Sequence, residues 1–200
     1  MELTEVLRKV SDILNQQLNQ NETYYMLPEE SYHQTIANTL SGQRYFENIV
    51  DKGRFLEFPI RVRDAFRKIQ LDERSVPMKM KMIGLNVFGT CIALLGEFKL
   101  EDDFNSVNNF REQFYNDTEL SCLDVKWTRP FVGHITLAYL GREIKENERL
   151  LLANTIIDIN ATIDFSRAVF HIDKTELRSY SDLSCFNSRP GYPEYHFIKS

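Results

Sequence analysis

Residues 131–141 read FVGHITLAYLG, and their alternation decides the fold class. Counting by twos puts Val132, His134, Thr136, Ala138 and Leu140 on one face, and Ile135, Leu137 and Tyr139 on the other. This predicts a β-strand over residues 132–140, stopped by Gly141, with Tyr139 packed beside Ile135 and Leu137. Residues 32–42, YHQTIANTLSG, repeat the pattern. A strand over residues 32–40 points Tyr32, Gln34 and Ile36 one way, and His33, Thr35 and Ala37 the other. Both stretches give His-x-Thr-apolar on a strand that ends at Gly and leads into a helix. Such an internal echo is what two structurally related lobes produce.

Outward from these two stretches the chain alternates helices with antiparallel pairs. Val6, Val10, Ile13 and Leu14 make one face of a helix over residues 2–20, which Asn19, Asn21 and Glu22 end. Helices are expected near residues 44–51 and 59–71, separated at Gly53, with Pro59 in the first turn of the second. The apolar stripe of the second is Val62, Ala65, Phe66 and Ile69. Met78, Met80 and Met82 alternate with Lys79 and Lys81, the mark of a half-solvated strand. That strand turns near Phe88-Gly89 onto a partner over residues 91–95. Further expectations are a helix over 102–116 with Asp102 or Asp103 as its N-cap, a helix over 144–158 and a strand over 162–172. Residues 174–181 are expected to pair with that strand, and residues 195–198 to form an edge. Together these predict one α+β domain over residues 1–200, with antiparallel pairing.

The composition narrows the function. The 200 residues carry a net charge of −5, 42% hydrophobic and 26% charged residues, which suits a soluble folded domain. An acidic chain lacks the long-range pull of duplex nucleic-acid binders, so no duplex partner is expected. Cys91, Cys122 and Cys185 are odd in number, far apart and form no CxxC. Neither a disulfide framework nor a zinc site is expected, and the reducing cytoplasm is the natural compartment. Residues 1–21 have no continuous apolar core of the kind a signal peptide needs. No apolar run approaches the roughly 20 residues of a membrane span, so no membrane partner is expected. Nothing demands more than a monomer.

The chemistry lies in the two His-x-Thr pairs. Residues i and i+2 of a strand share a face, with Cα atoms about 6.6–6.8 Å apart. An imidazole and a hydroxyl at that spacing can grip one phosphate together. Two such pairs across a cleft supply two imidazoles and two hydroxyls. One neutral imidazole can take a proton from the attacking oxygen while the other, protonated, gives one to the departing oxygen. The threonine hydroxyls can hold the non-bridging oxygens. The set suits phosphoester cleavage without a metal or other cofactor.

The paired motifs His33-Gln34-Thr35-Ile36 and His134-Ile135-Thr136-Leu137, 101 positions apart, resemble those of the two-histidine (2H) phosphoesterase superfamily. That superfamily includes RNA 2′,3′-cyclic phosphodiesterases and RNA 2′,5′-ligase-like proteins, 2′,5′-oligoadenylate phosphodiesterases and phage enzymes that degrade cyclic-nucleotide immune signals. The resemblance covers most of the chain in layout, and its sharp features are the two motifs. It implies a bilobal α+β fold with pseudo-twofold symmetry and a central cleft. It implies His33 and His134 as the acid–base pair, Thr35 and Thr136 as phosphate ligands, and a small nucleotide or RNA terminus as substrate. Two features depart from the pattern. The motif spacing is long, which predicts an inserted helix or lid, and Gln34 is polar where an apolar residue is common.

Other residues are weighed against ordinary roles. Arg129, in WTRPFVGH, precedes the second motif and can reach a phosphate; Arg44 and Arg142 follow the two motif strands and can do likewise. A single arginine is more often a solvated charge. Tyr32, Tyr139, Trp127 and Tyr180 offer faces on which a base can stack. His171 and His196 lack the threonine and read as surface or packing residues. Lys79 and Lys81 read as a solvated strand face. Glu101, Asp102 and Asp103 read as a helix start, without metal-ligand spacing. A catalytically silent binding module of the same fold, and an interaction domain with accidental motifs, are the rival readings.

Overall fold

The computed structural model describes residues 1–18, 23–141 and 143–198. Helix α1 (Leu3–Leu18) buries Val6, Val10, Leu14 and Leu18, the i, i+4, i+8 stripe legible in the sequence; the residues expected to end it lie outside the described ones. Strand β1 (Tyr24–Met26) follows. A short helix α2 (Gly42–Tyr45) runs into a π-helical turn (Phe46–Val50), and α3 spans Glu57–Lys68. The hairpin is longer than expected: β2 covers Met78–Phe88 and β3 Cys91–Phe98. Then come α4 (Glu101–Tyr115), α5 (Thr118–Ser121), β4 (Gly133–Leu140) and α6 (Glu146–Thr162). Five short strands close the order: β5 (Val169–Ile172), β6 (Lys174–Glu176), β7 (Ser179–Tyr180), β8 (Phe186–Asn187) and β9 (Glu194–His196).

One antiparallel sheet in the order β1-β4-β3-β2-β5 organises the molecule. Met78, Met80 and Met82 are fully buried while Lys79 faces solvent, as period-2 alternation requires. Two apolar clusters form the core. In one, α1 and α6 join Met80, Met82, Leu94, Ile135 and Leu137. In the other, α3, α4 and α5 gather Phe58, Val62, Phe66, Phe110, Phe114 and Leu120 with Met78 and Ile172. Residue Gly84 sits at a bulge in β2, at φ +149°, and Asn160 of α6 bonds both the N–H and the C=O of Leu85 there. Among the described residues no helix is long and apolar enough to cross a membrane.

Several local expectations are corrected. Residues 32–40 are not a strand. Strand β1 pairs with residues 138–140 of β4, and Leu27 N–H adds one bond to Leu137 O. Pro28 and a 3₁₀ turn (Glu29–Ser31) then lift the backbone off the sheet edge. The strand expected over 162–172 shrinks to β5, because the helical face Leu152, Thr155, Ile159 carries α6 to Thr162. Segment 174–181 does not pair with β5: β6 pairs with β9 and β7 with β8. Leu100, not Asp102 or Asp103, occupies the N-cap of α4. Asp103 is instead buried, accepting bonds from Arg74 and from Lys79 N–H at 2.8 Å.

Candidate functional site

The second motif starts directly after a pair of facing glycines in β3 and β4. Gly96 and Gly133 face each other in register, and a Cβ on Gly133 would lie 2.6 Å from the Gly96 carbonyl oxygen and closer still to Met80 Sδ. Only glycine fits there, and the next residue is His134. Farther along, Ile92 pairs with Ala138 but Ala93 pairs with Thr136. Leu137 is therefore an extra residue in β4, a β-bulge, and it switches the alternation. Ile135, Leu137 and Ala138 go to the core, whereas Tyr139 turns into the same cavity as His134 and Thr136. This corrects the packing role expected for Tyr139. Thr136, Tyr139 and the Cys91 thiol form one polar cluster.

The first motif lies on irregular backbone, so side chains must satisfy its polar groups. Gln34 does this in two directions. Its Nε2 donates to Thr35 O at 2.8 Å, and its Oε1 accepts the backbone N–H of His134 at 2.5 Å. The polar residue inside the first motif thus takes the open edge of the second motif's strand. Arg111 Nη1 donates to Ile36 O at 2.6 Å. Tyr115 OH accepts from Asn38 N–H at 2.8 Å and donates to Asn38 O at 3.0 Å.

Both motifs line one cavity of about 610 Å³, within the usual range for a small-molecule site. His33, Thr35, His134 and Thr136 all contribute to its wall. The two imidazoles are held alike. His33 Nδ1 lies 2.7 Å from Ser31 O and His134 Nδ1 lies 2.7 Å from Val132 O, each the carbonyl two residues earlier. A carbonyl only accepts, so Nδ1 carries the proton in both rings and Nε2 keeps its lone pair. Burial lowers the proton affinity of His33 below the ordinary histidine value, opposed by the Ser31 carbonyl and assisted by Arg178. Burial likewise lowers His134; Val132 opposes, and the positive charges of Arg129 and His33 assist. His33 therefore stands near enough to disfavour a second charge on His134.

Each imidazole also meets a phenylalanine. Phe186 packs on His33 with ring centroids 4.1 Å apart, and Phe88 meets His134 edge-on at 4.9 Å. Tyr180 contacts Phe186 at 5.1 Å and lines the cavity, as does Tyr32, whose hydroxyl donates to Ser11 Oγ at 3.0 Å. Arg129 reaches the cavity; in the carboxamide orientation that satisfies both groups, Asn38 accepts its Nε and Nη2, each at 3.1 Å. Lys174 and Arg178, also in the wall, are paired with Glu194 and Glu176.

Other expected candidates lie elsewhere. Arg44 pairs with Asp124 at 2.8 Å, away from the cavity. Trp127 stacks on the Arg111 guanidinium at 4.8 Å rather than lining the cleft. Arg142 lies outside the described residues. His171 is exposed at the cavity wall, and exposed His196 pairs with Glu194. Nothing in the sequence marks Phe88, Phe186 or Arg178 for the cleft: Phe88 reads only as the end of a strand at its turn, and the other two lie where no periodicity runs. Arg111 had a signal: it falls on the apolar stripe Val107, Phe110, Phe114 of α4. Among the described residues no group of three or more His, Cys, Asp or Glu side chains is arranged to ligate a metal.

No protein-family model matches the chain, and no curated protein matches it. Among solved structures the chain is similar to ATU0111, a conserved protein of unknown function from Agrobacterium tumefaciens. The TM-score is 0.57 at 14% identity, covering 92% of this chain and 78% of that one. It is also similar to TT0787 of Thermus thermophilus, with a TM-score of 0.46 at 13% identity and 72% of each chain covered. The first likeness shows a shared fold. The class defined by fold and topology is an α+β protein built on a five-stranded antiparallel sheet, with two groups of helices packed against it.

Proposed function

We propose that the chain is a two-histidine phosphodiesterase. It hydrolyses a small nucleotide phosphodiester: a 2′,3′-cyclic phosphate, a 2′,5′-linked oligonucleotide or a cyclic signalling nucleotide. The observation that carries this reading is the matched pair of imidazoles. His33 and His134 share one cavity, and each is oriented by a carbonyl two residues back so that Nε2 is the free nitrogen. Two imidazoles held alike suit an acid and a base better than two packing residues. In this reading the bilobal two-histidine fold has β4 and the irregular 32–40 segment as the two walls of its cleft. The enzyme works as a monomer in the reducing cytoplasm.

One neutral Nε2 accepts the proton of the attacking water or hydroxyl. The other, protonated, gives its proton to the ester oxygen that leaves. An arriving phosphate supplies the negative charge that lets one buried imidazole hold a proton. Thr35 and Thr136 hold non-bridging oxygens, and Arg129 balances the charge that grows in the transition state. Tyr32 lines the wall beside the first motif. General acid–base catalysis contributes about 10²–10⁴-fold, so losing either histidine raises the barrier by about 3–5 kcal/mol.

The test is turnover in EDTA. Wild type, His33→Ala, His134→Ala and the double variant are run against 2′,3′-cyclic nucleotides, 2′,5′-linked adenylates and cyclic dinucleotides, with products separated by chromatography. Turnover by wild type, lost in each single variant and no further in the double, is the expected result. A folded wild type that turns over none of them, or single variants with intact turnover, removes the reading.

A further inference from the structure

We infer that Arg111 is a positioning residue that sets the separation of the two histidine motifs; this rests on the phosphodiesterase reading of the cleft. Arg111 is 3% exposed and does not line the cavity. It occupies a core position of α4, beside Phe110 and facing the same way as Val107 and Phe114. An aliphatic side chain is the default there, and a buried guanidinium is costly unless its hydrogen bonds are specific.

The bonds Arg111 makes are specific to the two motifs. Nη1 donates to Ile36 O at 2.6 Å, the residue directly after Thr35. Nη2 donates to Arg129 O at 2.7 Å, in the irregular segment that leads into Gly133 and His134. Neither carbonyl belongs to a helix or a strand, so no backbone ladder fixes either segment at that point. One planar, rigid fork therefore holds the approach to both motifs. Among the described residues no carboxylate forms an ion pair with it, and rings pack around it. Trp127, Tyr115 and Phe131 surround the guanidinium at 4.8, 5.5 and 5.7 Å, which keeps its plane in place. Tyr115, one turn along α4, grips Asn38 as well. A group whose two outer nitrogens reach one carbonyl from each motif segment, with no carboxylate paired to it among the described residues, is placed for geometry.

The test compares Arg111→Met, which keeps the apolar stem, with Arg111→Lys, which keeps stem and charge but cannot span two carbonyls. Folded fraction is checked by near-ultraviolet circular dichroism. Kinetics use the nucleotide that wild type hydrolyses. A misplacement of about 1 Å costs about 10²-fold; both variants are expected to lose about that much, chiefly in kcat rather than KM. A second readout needs no turnover: NMR titration of the His33 and His134 ring nitrogens. In wild type a charge on His33 disfavours one on His134; in Arg111→Met the His134 titration should move toward that of His33→Ala, because the rings have parted. Folded variants with unchanged kcat and unchanged titrations overturn the inference, as does failure of both variants to fold, which would make Arg111 a folding determinant. If wild type itself hydrolyses nothing, the phosphodiesterase reading falls while the titrations still decide the positioning.

Discussion

At the scale of single residues the cleft depends on two ring nitrogens and what burial does to them. Both imidazoles titrate below the ordinary histidine value of about 6.5, with desolvation the first cause in each. The free-enzyme acid and base reported by kcat/KM are then both acid-shifted. The expected pH profile is a bell whose maximum lies below pH 6.5, with the alkaline limb falling about tenfold per unit. A maximum at pH 7.5 or above, measured on any accepted nucleotide, would contradict this. Gln34 acts at the same scale. Read from sequence it is an odd polar residue inside a motif; in the fold its carboxamide bonds Thr35 O and His134 N–H together.

At the scale of elements β4 carries the second motif and Tyr139 into the cleft, through one close approach and one bulge. The Gly96–Gly133 pair lets the two strands close with Met80 beneath them. Gly133→Ala should destabilise the fold by about 1–3 kcal/mol through overpacking, read from urea midpoints. It should also reduce kcat, because the displaced residue adjoins His134; unchanged stability would mean that β3 and Met80 can yield. Strict alternation from Val132 correctly put His134 and Thr136 on one face, and failed beyond them. The bulge at Leu137 reverses the facing of Ala138 and Tyr139, and no single-strand pattern announces a bulge set by the partner strand.

At the scale of the whole molecule, the sheet and the helical half are fastened by polar groups placed far apart in sequence. Asp103 is buried on α4 and accepts bonds from Arg74 and from the Lys79 N–H near the start of β2. Asp103→Ala leaves a largely buried guanidinium without its partner, and should cost about 3–5 kcal/mol. Chemical denaturation read on Trp127 fluorescence would measure it, and a loss under about 1 kcal/mol would refute the buried-pair account. Arg111 plays the related part nearer the cleft, joining the Ile36 and Arg129 carbonyls.

By itself the sequence determined the α+β class, the α1 stripe, the Met-Lys hairpin, the strand that carries His134 and the choice of His33 and His134 as the two motif histidines, which line one cavity. These are readable because amphipathic period and local motif are properties of neighbouring residues. Only the tertiary structure decided that residues 32–40 are irregular and that Tyr139 faces the cleft. It alone brought Phe88, Phe186 and Arg178 to the same cavity, and made a core arginine the link between the motifs. Each of these turns on which distant backbone group meets a given carbonyl, N–H or ring, and a contact between segments about 75–100 residues apart leaves no periodic trace in either one.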